Sequence, residues 1–153
     1  MDKEKFDNGI NDLLEHRKEV LDNLLVFCKE LKERGFRHDE SKFKDPELDS
    51  YVNIIPLMKD KKYGTSDYKD IIKQIKPAVD HHFSVNSHHP QFYKEGLGGM
   101  DLVDLVEMFC DWLAASKRNN DGNIQKSILF NKEKFDIPEV LCDIMNNTAK
   151  RIF

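Results

Sequence analysis

Apolar residues first recur at helical spacing near the start of the chain. Leu13, Val20, Leu24, Phe27 and Leu31 define one stripe, and Ile10, Leu14, Leu21 and Leu25 widen it. The pattern predicts an amphipathic helix over 3–33, with Gly35 as its stop. The segment Asp45-Pro46-Glu47 reads as a second helix start, with a capping acid, proline at the first helical position and an acid in the first turn. That helix is expected to reach residue 58. A polar loop, KDKKYGTS, follows. Thr65 or Ser66 then caps a third helix, carried to residue 85 with Pro77 as a kink point.

Residues 86–99 hold Pro90 and three glycines and read as an irregular loop. Asp101 opens a helix to about residue 119, 123–134 is helical, and Asp136 with Pro138 and Glu139 opens the last helix. No alternating strand pattern, repeat or low-complexity tract interrupts this order. The expected fold is all-α: one domain, 1–153, built as a bundle of about six helices.

The chain has 153 residues, 39% of them hydrophobic and 34% charged, which suits a globular domain with a real core. A net charge of −4 argues against non-specific nucleic-acid binding. No stretch is apolar enough to span a bilayer, and the charged N-terminus lacks a signal-peptide core, so the expectation is a cytoplasmic protein without a membrane partner. Cys28, Cys110 and Cys142 are scattered and read as buried free thiols.

The six histidines change the picture, because four fall within nine residues, at 81, 82, 88 and 89. His16 lies on the apolar stripe of the first helix and should point inward. By itself it reads as a core histidine bonded to a backbone carbonyl. His38 and Asp39 are adjacent and can both reach one cation, with Lys42 a turn later. The alternative is a loop in which Asp39 caps the next turn. HHFSVNSHHP holds two histidine pairs, of which His82 and the pair His88–His89 are the preferred ligands. Its alternative is an incidental cluster or a pH-sensitive interface. In DLVDLVEMFCDWLAASKR, Asp104, Glu107 and Asp111 share a helix face, with Arg118 two turns on. That face reads either as a solvated acidic stripe or, for Asp111, as a half-buried acid needing a cation.

Read in order, the chain gives His, His-Asp, His, His-His, Asp. This order resembles the HD superfamily of metal-dependent phosphohydrolases, whose H…HD…D signature would fall on His16, His38, Asp39 and Asp111. The added His82, His88 and His89 are similar to the expanded set of HD-GYP phosphodiesterases, and Lys42 matches the HDxxK lysine. The GYP tripeptide itself is absent; the loop reads EGLGGM. The strings RHDESKF, HHFSVNSHHPQFY and DLVEMFCDWLAASKR also look like a family of small phage and bacterial proteins. The resemblance covers residues 14–118. It implies an HD-like bundle holding one or two divalent transition-metal ions, Mn, Fe, Zn or Ni, with Asp39 bridging. The implied reaction is hydrolysis of a phosphoester, a nucleotide or cyclic nucleotide, by a metal-activated water. Lys42 and Arg118 would meet the substrate's charge. Glu107 would orient a ligand or move the proton, and Gly96, Gly98 and Gly99 would serve as hinges of a substrate loop in which Phe92 and Tyr93 either stack on a base or serve as packing residues. The competing expectation is a non-catalytic metal protein, or a phage protein that binds a nucleotide or host factor.

Overall fold

The computed structural model describes residues 2–58, 61, 65–118 and 122–153. Among them every regular element is helical. The seven α-helices are α1 (Lys3–Arg37), α2 (Leu48–Met58), α3 (Ser66–Gln74), α4 (Lys76–Val85), α5 (Leu102–Ser116), α6 (Ile124–Phe135) and α7 (Glu139–Ile152). Short 3-10 turns lie at Glu40–Phe43, Pro90–Phe92 and Gly96–Gly99. The chain divides into two compact units, one ending at Arg37 and one beginning at His38.

The first unit is α1. It runs through Gly35 rather than stopping there, because one glycine costs a long helix only about 1 kcal/mol. It ends just before Asp39, whose left-handed backbone (φ 57°) turns the chain; aspartate is one of the few residues that tolerates this. None of the residues of α1 is buried.

In the second unit α5, α6 and α7 pack in sequence around Met108, Phe109, Trp112, Leu113, Ile128, Met145 and Ala149. A smaller apolar cluster, Ile54, Ile75 and Ala78, joins α2, α3 and α4. The expected helix over 65–85 is two helices broken at Ile75, with Pro77 in the first turn of α4, where its missing N–H is harmless. Thr65 caps α3 as expected. Asp101 caps α5 in a reciprocal box with Asp104.

The second helix begins at Leu48, not at Pro46. Residues 44–47 form a turn, with the Glu47 and Leu48 N–H groups both donating to the Lys44 carbonyl, and the Glu47 side chain enters the interior. Asp136 ends α6 in a left-handed conformation, while α7 starts after Pro138 without a side-chain cap. The polar loop after residue 58 lies largely outside the described residues, and the helix expected to reach about 119 ends at Ser116. Of the cysteines only Cys142 is buried; Cys28 and Cys110 are exposed, and all three are free. Among the described residues no helix is long and apolar enough to cross a membrane.

Candidate metal centre

Four short segments of the second unit converge on one polar cluster. The 38–43 turn brings His38, Asp39 and Lys42. Helix α4 brings His82, one turn beyond buried Ala78 and so on the same inward face. The loop that follows brings His88 and His89, and α5 brings Glu107 and Asp111. Asp104 holds this loop. It accepts from the Ser87 hydroxyl at 2.7 Å and the Tyr93 hydroxyl at 2.5 Å, as well as from the Asp101 backbone N–H. Gly99 stands against Tyr93 so closely that a Cβ there would lie 2.7 Å from the tyrosine side chain. Gly99 is thus a close-packing position; the only left-handed glycine among the described residues is Gly96.

His82 Nε2 lies 2.9 Å from His89 Nε2 and 3.2 Å from Asp39 Oδ1, and His88 Nε2 lies 3.5 Å from the same oxygen. Donor atoms around an ion with bonds of about 2.1 Å stand roughly 3.0–3.4 Å apart, close to this spacing. Asp39, His82, His88 and His89 form a group able to hold an ion. Two of the three buried side-chain polar atoms without a hydrogen-bond partner among the described residues are Asp39 Oδ1 and His88 Nε2. Both aim into this group. Leaving such atoms unmatched costs about 1–3 kcal/mol each, and a cation would satisfy both. Three imidazoles and a carboxylate suit Zn, Mn, Fe or Ni better than Ca or Mg.

The second group is His38, His88 and Glu107. Glu107 Oε1 lies 2.8 Å from His38 Nδ1 and 3.2 Å from His88 Nδ1. The first is a hydrogen bond and the second a close ion-pair contact, and both involve the nitrogens turned away from Asp39. We read Glu107 as orienting both rings, with each Nε2 left toward the cluster. On that side His38 Nε2 stands 3.5 Å from Asp39 Oδ2 and 3.7 Å from Asp111 Oδ1. Lys42 Nζ donates to Asp39 Oδ2 at 2.6 Å and lies over the Tyr51 ring.

Burial and close charges shift the ionisation of several groups in the cluster. Contact with Asp111 and Glu107 raises His38 from 6.5 to about 10. Burial works against ionisation of Asp39, but Lys42 and the neighbouring His38 hold its carboxyl well below the usual range. Burial, then the neighbouring His88 and His82, pushes His89 down to about 3, so that it stays neutral.

Residues 5–151 match the model of DUF5662, described as a family of unknown function. The chain belongs to that family. No curated protein and no solved structure matches it. For this DUF5662 chain the HD resemblance therefore rests on the residues of the cluster.

Of the residues read from sequence, His38, Asp39, Lys42, His82, His88, His89, Glu107 and Asp111 come together. His16, expected to face inward, is exposed on α1, which buries none of its residues, and neither ion-holding group includes it. Arg118 is exposed in the turn after α5. Asp104 and Glu107 are buried rather than part of a solvated stripe, because the loop and His38 supply donors. Tyr93 spends its hydroxyl on Asp104, which makes it a packing residue. Glu47 was the residue missed. Its place in an apparent helix start hid a side chain that reaches α4.

Proposed function

We propose that this protein is a metal-dependent phosphohydrolase acting on a small phosphoester, a nucleotide or cyclic nucleotide. The observation that carries the reading is the meeting of Asp39 Oδ1 with the Nε2 atoms of His82, His88 and His89 at close to that spacing of donor atoms around an ion, two of those atoms being unmatched. Asp39, His82, His88 and His89 would hold one transition-metal ion, and His38 and Asp111 with the second oxygen of Asp39 would hold another. Such an ion supplies a nucleophilic water near neutral pH and neutralises phosphoryl charge.

The remaining roles belong to the chain. Glu107 keeps the His38 and His88 rings turned with Nε2 inward. Lys42, half-buried beside Asp39, is placed to exchange part of its ion pair for a phosphoryl oxygen, as a point charge. Asp104 and Tyr93 fix the loop that carries His88 and His89. The choice of a nucleotide rests on the resemblance to the HD superfamily.

One feature favours a second reading. Four protein ligands complete a tetrahedral shell, which is how structural zinc is held. The two readings separate in one experiment. Protein loaded with Mn²⁺ or Zn²⁺ is assayed against p-nitrophenyl phosphate, its bis ester, nucleotides and cyclic nucleotides, with His38→Ala as control. Turnover that His38→Ala abolishes supports the hydrolase; stoichiometric metal with no turnover on any of these substrates supports the structural site.

A further inference from the structure

Glu47 belongs to no motif of the metal cluster, yet its side chain is 0% exposed. A buried carboxylate needs donors, and three are in place. His81 Nδ1 lies 2.7 Å from Oε1, while His82 Nδ1 and the Ser41 hydroxyl lie 3.0 and 3.1 Å from Oε2. Asn86 closes the network. Its amide donates to the Ser41 oxygen and to the His82 carbonyl, each at 2.8 Å. With both Asn86 protons placed, Ser41 has its own proton free for Glu47. Ionised, Glu47 only accepts. Asn86 Nδ2 and Ser41 Oγ also stand 3.0 and 3.2 Å from His82 Nδ1, but with their protons spent on the partners above, the arrangement favours a proton on Nδ1 of both imidazoles, and His82 then presents Nε2 as a lone pair toward Asp39 and His89.

We infer that Glu47 is a positioning residue of the histidine cluster, fixing His81 and His82 in the Nδ1–H form and tying the start of α2 to α4, so that His82 offers Nε2 to a cation. The inference rests on the metal-centre reading. His81 is part of the device. Its side chain is 37% exposed and it belongs to neither ion-holding group, but it occupies Oε1 and so keeps Oε2 directed at His82. Glu107 repeats the arrangement on His38 and His88. The two acids thus turn three inward imidazoles, although they stand far apart in the sequence.

The test is ¹⁵N–¹H imidazole NMR of the full metal-free chain at pH 8, followed by Zn²⁺ titration of wild type and Glu47→Gln. The expected wild-type spectrum shows His82 protonated on Nδ1. Glu47→Gln keeps the volume but replaces one acceptor oxygen by a donor. It should move His82 toward the Nε2–H form and weaken Zn²⁺ binding roughly 10–100-fold, with helical content by circular dichroism unchanged. A wild-type His82 protonated on Nε2 overturns the inference, and so does a Glu47→Gln protein with unchanged tautomer and affinity. If Glu47→Gln does not fold, the wild-type spectrum decides alone. A wild type with the expected tautomer that binds no Zn²⁺ removes the metal reading and leaves the orienting role of Glu47 standing.

Discussion

Met108 on α5 and His82 on α4 are both all but inaccessible to water, yet they are buried by opposite means. Met108 sits among apolar side chains of α5, α6 and α7, where another apolar residue of similar volume would do. His82 is surrounded by Glu47, Asp39, Ser41, Asn86 and His89, each contact specific in atom and proton. The difference teaches where this protein keeps stability and where it keeps chemistry. The apolar core tolerates exchange of residue type but not loss of volume. The polar cluster tolerates neither loss of a partner nor, in two of its atoms, its own present set of protein contacts.

The largest effect should come from breaking the apolar side. Met108→Ala is expected to cost about 2–5 kcal/mol of stability in urea unfolding, while the folded fraction keeps its Zn²⁺ affinity. His88→Ala should do the reverse, lowering Zn²⁺ affinity in calorimetry by more than roughly 100-fold, since outer contacts alone can account for that much. Its metal-free stability should fall by less than that of Met108→Ala. A His88→Ala protein with wild-type affinity would erase the contrast.

The loop sits between these extremes. Tyr93→Phe leaves buried Asp104 short of one donor and should cost about 1–3 kcal/mol in urea unfolding. Gly99→Ala, which forces a methyl group against Tyr93, should cost a similar roughly 1–3 kcal/mol. Both should weaken Zn²⁺ binding less than His88→Ala does.

The smallest effects concern pH. His38 is raised in the folded chain to about 10. Its contribution is fully present below 6.5 and is lost as pH climbs through 10. His89 is lowered to about 3, so between 3 and 6.5 the unfolded chain binds the extra proton and stability rises with pH. Metal-free protein should therefore be most stable near pH 6.5, and His38→Ala should flatten the alkaline limb. Zn²⁺ at pH 8 should displace the His38 proton and be accompanied by measurable proton release.

Most of the cluster was legible in the sequence because its ligands come as adjacent pairs. His38–Asp39 and His88–His89 are hard to explain by packing. The helical stripe of α1 gave its pitch and nearly its length, but a stripe does not say what covers it, and His16 took its expected direction from that stripe. Glu47 was read as a helix-start acid because Asp45-Pro46-Glu47 has the chemistry of one. Its histidine partners lie 34 and 35 residues on, beyond any local pattern. Asp104 looked solvated because its spacing matched Asp111; its donors, Ser87 and Tyr93, belong to a loop whose path no periodicity describes.

The central claim is most directly tested by anomalous diffraction at the zinc edge from crystals of the full chain grown with Zn²⁺. The account predicts a peak within bonding distance of Asp39 Oδ1 and the Nε2 atoms of His82, His88 and His89. Fully formed crystals with no anomalous peak at that position, or with zinc held only by other residues, would contradict it.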